Sequence, residues 1–207
     1  MSKLKQHWEN IYKEKGHQQV SWYQDSADTS LCLLDKIKAK PTNYVVDVGS
    51  GASVFVDALI EQGFNKITLV DLSREALDIT KARLGDKAAI PEYRVEDVTQ
   101  LTFNEPFDIW HDRAVFHFLT KPEDRKKYMD LLCNNLSPQG RAIIGTFSLK
   151  GPNMCSGLDI VQYDESKIKA ILPKGLVLES SSEDTHITPS GASQAFIYFI
   201  VKRALHG

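Results

Sequence analysis

The run Tyr44-Val-Val-Asp47-Val-Gly49-Ser50-Gly51-Ala52-Ser53 combines an apolar strand, one carboxylate and a turn with two glycines. Its β-branched residues are typical of a buried parallel strand, and the two glycines let the backbone turn sharply and approach a ligand closely. Ser53 is a helix-capping residue type, and an apolar helical pattern follows it. The stretch therefore predicts a strand, a tight turn and a helix. Either a small-molecule site or simple packing explains the turn.

The composition favours one well-packed α/β domain, with 207 residues of which 42% are hydrophobic. The formal net charge of −2 argues against dedicated nucleic-acid binding. The three cysteines, Cys32, Cys133 and Cys155, are far apart, so we expect a reducing compartment and neither a disulfide framework nor a metal site. No signal-peptide pattern is seen, and no run approaches the roughly 20 apolar residues that cross a bilayer. We therefore expect a cytoplasmic protein that does not bind membranes.

Two helices are predicted ahead of the glycine turn, over residues 4–15 and 26–38, from apolar residues at helical spacing. Between them lies the aromatic pair Trp22-Tyr23 in a predicted loop. Such rings either pack the loop down or close over a ligand. We divide the chain into an N-terminal helical cap region, residues 1–40, and a single globular unit, residues 41–207.

Acidic residues end the next two predicted strands. Asp71 ends the second strand, 20 residues after Gly51, and Asp97 lies near the end of the third. In nucleotide-binding βαβ units, a carboxylate at the end of the second strand accepts hydrogen bonds from ribose hydroxyls; the alternative role for Asp71 is to cap the following helix. Because parallel strands end at one edge of a sheet, these acids should converge with Asp47. The pattern predicts a nucleoside site.

The fourth predicted strand, residues 107–110, runs into a cluster of ionisable residues, His111-Asp112-Arg113 and then His117. Sheets of this kind hold their substrates at such strand ends. We take His111, Asp112 and His117 as candidate catalytic residues, with a helix cap or a buried core histidine as the alternative for each. His186, in the predicted connection of a later hairpin, is a further candidate for proton transfer.

The last third of the chain predicts a helix, a strand, a long loop, a short helix and two strands in succession. Residues 150–158 are the loop, which we expect to form a lid or a wall of an acceptor pocket. Since no helical pattern separates the last two strands, an antiparallel hairpin should close the sheet. The predicted elements cover residues 122–136, 141–147, 164–172, 176–180 and 194–201, with a turn at 137–140 and the hairpin connection at 186–191.

Together, the strand acid Asp47, the Gly49-x-Gly51 turn, Asp71, Asp97 and the closing hairpin resemble the class I, seven-stranded S-adenosylmethionine-dependent methyltransferases. The resemblance covers roughly residues 43–203. It implies an α/β fold with a single Rossmann-like, doubly wound sheet in the strand order 3-2-1-4-5-7-6, the last strand being antiparallel. It also implies S-adenosyl-L-methionine as the cofactor.

The same resemblance implies which residues hold the cofactor. Asp47 and the backbone of the glycine turn would hold its methionine part, Asp71 its ribose, and Asp97 with Val98 its adenine. Ser53 stands where the family usually has a third glycine. The full predicted set is Trp22, Tyr23, Asp47, Gly49, Ser50, Gly51, Ser53, Asp71, Leu72, Asp97, Val98 and His111.

One branch of the family, the elongation-factor lysine methyltransferases, is more similar still. Its Trp-x-x-x-Tyr helix, Trp-Tyr pair and Gly-x-Gly-x-Ser turn have counterparts in residues 8–12, 22–23 and 49–53. Its Asp-Lys-Gly stretch is matched only at the first position by Asp112-Arg113-Ala114. The resemblance implies a small molecule or a protein lysine as the methyl acceptor.

Two other functional classes stay open at this stage. A nicotinamide-dependent oxidoreductase would also place an acid at Asp71, but its fingerprint requires glycine where this chain has Val54. A non-catalytic binding protein on the same fold is the second alternative, because a fold alone does not determine function.

Overall fold

The computed structural model describes residues 3–14 and 16–204; Lys15, in the first predicted helix, lies outside them. Seven strands form one sheet in the order 3-2-1-4-5-7-6, as predicted. β1 to β5 run parallel, and β7 is antiparallel to both β5 and β6. The strands are β1 (Val45–Val48), β2 (Ile67–Asp71), β3 (Glu92–Val95), β4 (Phe107–Arg113), β5 (Leu136–Phe147), β6 (Leu176–Ile187) and β7 (Ser193–Arg203).

Helices cover both faces of the sheet, which is why the central strands are continuously apolar. The core on one face includes Val46 and Trp110 together with residues of α5 and α6. The core on the other face includes Val45 and Ile109 together with residues of α2, α3 and α4. The helices are α1 (Lys3–Glu14), α2 (Asp28–Lys36), α3 (Phe55–Glu61), α4 (Arg74–Leu84), α5 (Pro122–Asn135) and α6 (Glu165–Ile171). No helix in the described ranges is long and apolar enough to cross a membrane.

The glycine turn joins β1 to α3 at the carboxyl edge of the sheet. Gly49 and Gly51 have φ angles of 60° and 53°, in the left-handed region that favours glycine. α3 begins at Phe55, whose N–H donates to the Ser53 hydroxyl at 3.1 Å. Val54, and not Ser53, is the N-cap residue and makes no side-chain capping bond, so the capping position predicted for Ser53 is wrong by one residue.

Three elements differ most from their predicted bounds, and β4 also runs three residues further than predicted, so that His111, Asp112 and Arg113 lie within the strand. β5 begins at Leu136, so the predicted turn at 137–140 lies within the strand, where the register against β4 shifts. β6 extends to Ile187 and includes His186, which leaves a shorter hairpin connection. Many residues of this edge strand are polar because it faces solvent on one side, so no apolar run marks its full length in the sequence. The predicted loop at 150–158 contributes both strands of a two-residue ribbon, Met154–Cys155 and Leu158–Asp159.

Candidate functional site

Two cavities meet at the carboxyl ends of β1, β2 and β4. The larger has a volume of about 400 Å³ and the smaller about 50 Å³. The smaller lies beside the glycine turn and is also lined by residues between His17 and Ser30. Four residues line both cavities: Tyr12, Trp22, Gly49 and Arg113. The predicted site residues from three strand ends are thereby brought to one continuous region.

The larger cavity has two chemically different ends. The acidic end is lined by Asp71, Leu72, Glu96, Asp97 and Val98, at the ends of β2 and β3. The aromatic end is lined by Trp8, Trp22 and Phe118, whose rings are in edge contact, and by Arg113 and Cys155. The predicted residues Asp71, Leu72, Asp97 and Val98 all belong to the acidic end.

Asp71 is buried, and its carboxylate is held by the backbone on both sides. Oδ2 accepts from Gly51 N–H at 2.9 Å and Oδ1 from Ser73 N–H at 2.8 Å. Burial raises the pKa of Asp71 to about 6, and the two backbone donors oppose this shift. Each carboxylate oxygen has more than one lone pair, so the group is oriented but can accept further hydrogen bonds. Ser73, and not Asp71, caps α4 by accepting from Ala76 N–H.

Asp97 is oriented by its own turn. Its Oδ1 accepts from the backbone N–H and the hydroxyl of Thr99, both at 2.8 Å, as the cap of a short helical turn over residues 98–100. Val98 follows directly and is buried. A carboxylate and an adjacent backbone N–H together can read one edge of a planar base, because they supply an acceptor and a donor side by side.

Asp47 and His111 form a buried chain under the glycine turn. Asp47 Oδ1 accepts from His111 Nδ1 at 2.6 Å, and the other ring nitrogen, Nε2, lies 2.8 Å from the hydroxyl of Ser30. The carboxylate places a proton on Nδ1, so in the neutral ring Nε2 accepts from Ser30. All three line the smaller cavity. The Phe55 ring packs against the imidazole, with centroids 4.2 Å apart, and further restrains it.

The turn itself leaves no room for side chains at its glycines. A Cβ on Gly49 would collide with the Val115 side chain, and one on Gly51 would collide with the Tyr12 hydroxyl. Arg83, at the end of α4, donates to the carbonyls of Ala52 at 2.8 Å and Ser53 at 2.6 Å. The turn is thus fixed from the side of α4. Ser50 Oγ is buried and has no hydrogen-bond partner among the described residues.

Helix α1 covers the site and contributes two residues whose roles the sequence did not reveal. Glu9 accepts from the Ser73 hydroxyl and from the N–H groups of Arg74 and Glu75, so it docks α1 on the amino end of α4. Tyr12 is buried against the turn, and its hydroxyl accepts from Trp22 Nε1 at 3.2 Å. Burial raises the pKa of Tyr12 well above its usual value. Helical spacing places both residues on α1, but their partners come from distant parts of the chain.

The predicted aromatic pair lies in a segment that is fastened at two points. His186 Nε2 donates to the Ser21 carbonyl at 2.7 Å, and Arg113 Nη1 donates to the Trp22 carbonyl at 2.9 Å. Trp22 lines both cavities and Tyr23 lines the smaller. The loop is therefore held over the carboxyl edge of the sheet by hydrogen bonds from the His186 and Arg113 side chains.

Asp112 lies beneath the turn that follows β4 and lines neither cavity. It accepts from Val115 N–H at 2.8 Å, from Phe116 N–H at 3.1 Å and from the Tyr128 hydroxyl at 2.7 Å. Burial raises the pKa of Asp112 to about 7. These bonds stabilise a turn in which Ala114 has a positive φ of 73°. Asp112 therefore stabilises the turn after β4 and is not positioned to contact a ligand in either cavity.

His117 is fully buried and also lines neither cavity. Its Nδ1 accepts from Phe147 N–H at 3.4 Å, so the proton of the neutral ring is on Nε2, which has no partner in the described part of the chain. Burial, aided by the Arg113 charge, lowers the pKa of His117 to about 3. Of the three candidate catalytic residues, only His111 reaches a cavity.

These residues fit S-adenosylmethionine. The acidic end offers oriented carboxylates at the ends of β2 and β3, which suit ribose hydroxyls and an adenine amino group. Gly49, where any side chain would collide with Val115, exposes its backbone beside the smaller cavity, whereas the Gly51 N–H and carbonyl are bonded to Asp71 and Thr80. That cavity also contains the Asp47 carboxylate and the unpartnered Ser50 hydroxyl, which are polar enough for an amino-acid group.

Comparison with known proteins finds similarity to methyltransferases. The methyltransferase domain family matches residues 46–144. An eEF1A lysine and N-terminal methyltransferase of Danio rerio is 25% identical over 119 residues, which is 57% of this chain and 17% of that protein. EEF1A lysine methyltransferase 2 of the same organism is 26% identical over 155 residues, 68% of this chain and 66% of that protein. The chain thus spans under one fifth of the first relative's length.

Solved structures share the fold over nearly the whole chain. A crystal structure of a SAM-dependent methyltransferase from Anabaena variabilis has a TM-score of 0.76 at 16% identity, covering 99% of this chain and 96% of that one. A 1,6-didemethyltoxoflavin-N1-methyltransferase from Burkholderia thailandensis, solved with S-adenosylhomocysteine, has a TM-score of 0.74 at 18% identity, covering 98% and 88%. The strand order and these structural neighbours show the fold, and the similarity to the methyltransferase domain family, over just under half of the chain, supports a class I, seven-stranded methyltransferase that uses S-adenosyl-L-methionine.

Proposed function

We propose that this protein transfers a methyl group from S-adenosylmethionine to an acceptor bound at the aromatic end of the larger cavity. The observation that carries the proposal is the convergence of Asp71, Asp97 and the glycine turn on one region. When bound there, the cofactor supplies a methyl group on a positively charged sulfur, which a lone pair of the acceptor takes up as the carbon–sulfur pair leaves with the sulfur.

The proposed binding roles follow the chemistry of each position. Asp71 accepts from the ribose hydroxyls with Leu72 packing beside it, and Asp97 with the Val98 N–H reads the adenine. Asp47, Ser50, Ser53 and the backbone of Gly49 and Gly51 receive the methionine part; all of them except Gly51 line the smaller cavity, and Gly51 lies within the same turn. Trp22 and Tyr23 close over it and keep water out, which favours alignment of donor and acceptor.

For the three candidate catalytic residues we propose positioning roles. His111 holds Asp47 beneath the turn through its 2.6 Å hydrogen bond. Asp112 holds the turn after β4, and His117, with a pKa near 3, is too weak a base to take a proton efficiently near neutral pH. Methyl transfer from an activated donor needs alignment above all, so this reading requires no dedicated base.

The acceptor is either a small molecule or a protein lysine. The relatives named for eEF1A lysine methylation support the lysine, and the small-molecule methyltransferase among the structural neighbours supports the alternative. A cytoplasmic location is part of the proposal and is supported by three free cysteines and by the absence of a membrane-spanning helix in the described ranges.

A nicotinamide-dependent oxidoreductase is disfavoured by Val54. Its side chain lines the smaller cavity just before α3, where a dinucleotide fold needs glycine so that the pyrophosphate can approach the helix. A non-catalytic binding protein is the remaining alternative, and it differs from the proposal only in turnover.

Calorimetric titration with S-adenosylhomocysteine and with NAD⁺ tests the cofactor, and transfer of labelled methyl to a metabolite set and a cell lysate tests turnover. We expect binding of the first ligand only, together with labelled product. Binding of NAD⁺ alone would contradict the proposal. Cofactor binding without labelling of any acceptor would favour the non-catalytic alternative.

A further inference from the structure

We propose that Arg113 binds an anionic group of the acceptor, so that the substrate is a small organic acid with an apolar body and not a lysine side chain. This inference rests on the proposed methyltransferase function and goes further by naming the class of acceptor. It starts from a cation whose hydrogen-bonding capacity is largely unused.

Arg113 ends β4 and lines both cavities. Only one of its guanidinium nitrogens, Nη1, has a hydrogen-bonded acceptor, the Trp22 carbonyl at 2.9 Å. Nε and Nη2 are buried and make no hydrogen bond of good geometry among the described residues, although the guanidinium is close enough to the Tyr198 hydroxyl to oppose the burial that raises the pKa of Tyr198. A buried guanidinium with two unmet donors is costly unless an acceptor completes it. An anion that displaces the surrounding side chains slightly would supply that acceptor.

Further donors near Arg113 point the same way. His117 Nε2 carries a proton and lacks a partner, and it is close enough for the Arg113 charge to lower the pKa of the imidazole. The charge of Arg113 also opposes the burial that raises the pKa of Cys155, on the wall of the aromatic end. The unpartnered nitrogens of Arg113 and His117 are donors. What this region lacks is an acceptor of hydrogen bonds that carries negative charge.

Among the described residues, the acids of the larger cavity do not supply this negative charge to Arg113, and Asp47, the acid of the smaller cavity, is hydrogen-bonded to His111. Four acids line the larger cavity, and each already has a partner. Asp71 accepts from the N–H groups of Gly51 and Ser73, and Asp97 accepts from the hydroxyl and N–H of Thr99. Glu96 is paired with the Arg94 guanidinium, and Asp124 with the Lys127 ammonium. They belong to the ends of β2 and β3 and to the first turn of α5. Within the described lining, the aromatic end has a cation and no acid.

The backbone around Arg113 is strained in a way that fixes its direction. Ala114 has a φ of 73°, in the left-handed region that residues other than glycine rarely adopt. The strain is held in place by Asp112, which accepts from Val115 and Phe116. Such strain persists where the surrounding structure requires it and is common at functional sites. The fixed guanidinium packs over the Phe196 ring, 5.3 Å from its centroid.

The charge of Arg113 also discriminates between acceptors. A lysine ammonium entering the aromatic end would meet a like charge in a poorly solvated place, which disfavours its binding. A carboxylate would gain a charge-assisted, two-point hydrogen bond from the guanidinium, while Trp8, Trp22 and Phe118 would cover its apolar body.

The test uses two probes of matched shape, benzoate and benzylamine, titrated against the protein saturated with S-adenosylhomocysteine and followed by NMR chemical-shift changes. We expect benzoate to bind in the millimolar range and benzylamine to bind at least tenfold more weakly. Arg113→Gln should weaken benzoate at least about tenfold. Arg141→Gln, at the opposite end of the sheet, is the matched control and should bind benzoate like the wild type.

A separate titration decides whether Arg113 serves the cofactor instead. Arg113→Gln also removes the hydrogen bond to the Trp22 carbonyl, so it should change the affinities for S-adenosylhomocysteine and for 5′-methylthioadenosine, which lacks the carboxylate, by the same factor. A loss for the first ligand alone would assign Arg113 to the cofactor carboxylate and overturn the inference. Equal benzoate binding by Arg113→Gln and wild type, or tighter binding of benzylamine, would also overturn it. If the wild type does not bind S-adenosylhomocysteine at all, the proposed function itself fails.

Discussion

The two ends of the larger cavity are built in different ways. At the acidic end, each functional group is attached to a strand end or to the turn beside it, and backbone N–H groups orient the carboxylates of Asp71 and Asp97. At the aromatic end, Trp8, Trp22, Phe118 and Cys155 come from four separate segments and meet only in the folded chain. The first end is set by topology, and the second by long-range packing. The first should therefore tolerate less change in its backbone.

The largest expected effect comes from comparing two glycine replacements, one at Gly49 in the turn beside both cavities and one at Gly157 in the ribbon that carries Cys155. Gly49→Ala combines a positive φ with a collision against Val115, and we expect a loss of about 3 kcal/mol in the free energy of unfolding together with loss of cofactor binding. Gly157→Ala, next to the ribbon beside Cys155, also has a positive φ but nothing within 4 Å of the new Cβ. It should cost only about 1 kcal/mol. Urea unfolding of both variants measures the difference, and equal losses would contradict this contrast.

Asp71→Asn should lower the affinity for S-adenosylhomocysteine by about 1–3 kcal/mol, because a charged hydrogen-bond acceptor is replaced by a neutral one. The pKa of Asp71 is raised to about 6, so wild-type affinity should also fall as the pH drops below that value and the carboxylate is protonated. Calorimetry at pH 7.5 and pH 5.5 tests both effects. The variant should lack this contribution to the pH dependence, and Asp78→Ala, on the exposed face of α4, is the control.

The elements that the sequence predicts well are those with local signals. The glycine turn and the acids at the ends of β2 and β3 follow from apolar runs, glycine spacing and residue types that are adjacent in the chain, whereas the strand order follows from the resemblance to the methyltransferase family. Asp71 lines the larger cavity because the end of a parallel strand fixes its place, and its role toward the ribose stays a prediction.

The other residues around the site depend on contacts with distant parts of the chain, which no local sequence pattern predicts. Glu9 docks on the amino end of α4, and Arg83 holds the carbonyls of the glycine turn, although each looks like an ordinary charged residue of a helix. Conversely, Asp112 and His117 look reactive in the sequence but face neither cavity. An ionisable residue beside a strand end can point to either face of the sheet, and packing decides which.

His117 allows the contribution of such a buried group to be measured by its pH dependence. Its pKa is about 3 in the folded protein and near 6.5 when unfolded, so the unfolded chain binds a proton that the folded chain excludes. Stability from this group is therefore complete above pH 6.5 and is lost as the pH falls toward 3. Between pH 6.5 and pH 5 the loss should be up to about 2 kcal/mol.

His117→Phe removes the titrating group and keeps a ring between Phe118 and Phe147. We expect a smaller loss of stability on acidification from pH 7 to pH 5 than in the wild type, measured by urea unfolding at both values. Asp71 and Asp112 have raised pKa values and act in the opposite direction, but they are present in both proteins and cancel in the difference. Identical pH dependence would show that His117 is not excluded from protonation.

The smallest expected effect distinguishes the two tryptophans of the aromatic end. Trp22 lines both cavities and donates to Tyr12, whereas Trp8 lines only the larger cavity, 5.6 Å from the Trp22 ring. Cofactor binding should therefore change the fluorescence of Trp22 most. Trp8→Phe should keep the response to S-adenosylhomocysteine and Trp22→Phe should lose most of it, with buried Trp110 as a constant background in both. A full response in Trp22→Phe would remove Trp22 from the proposed cover over the cofactor and leave Tyr23 as the residue to test.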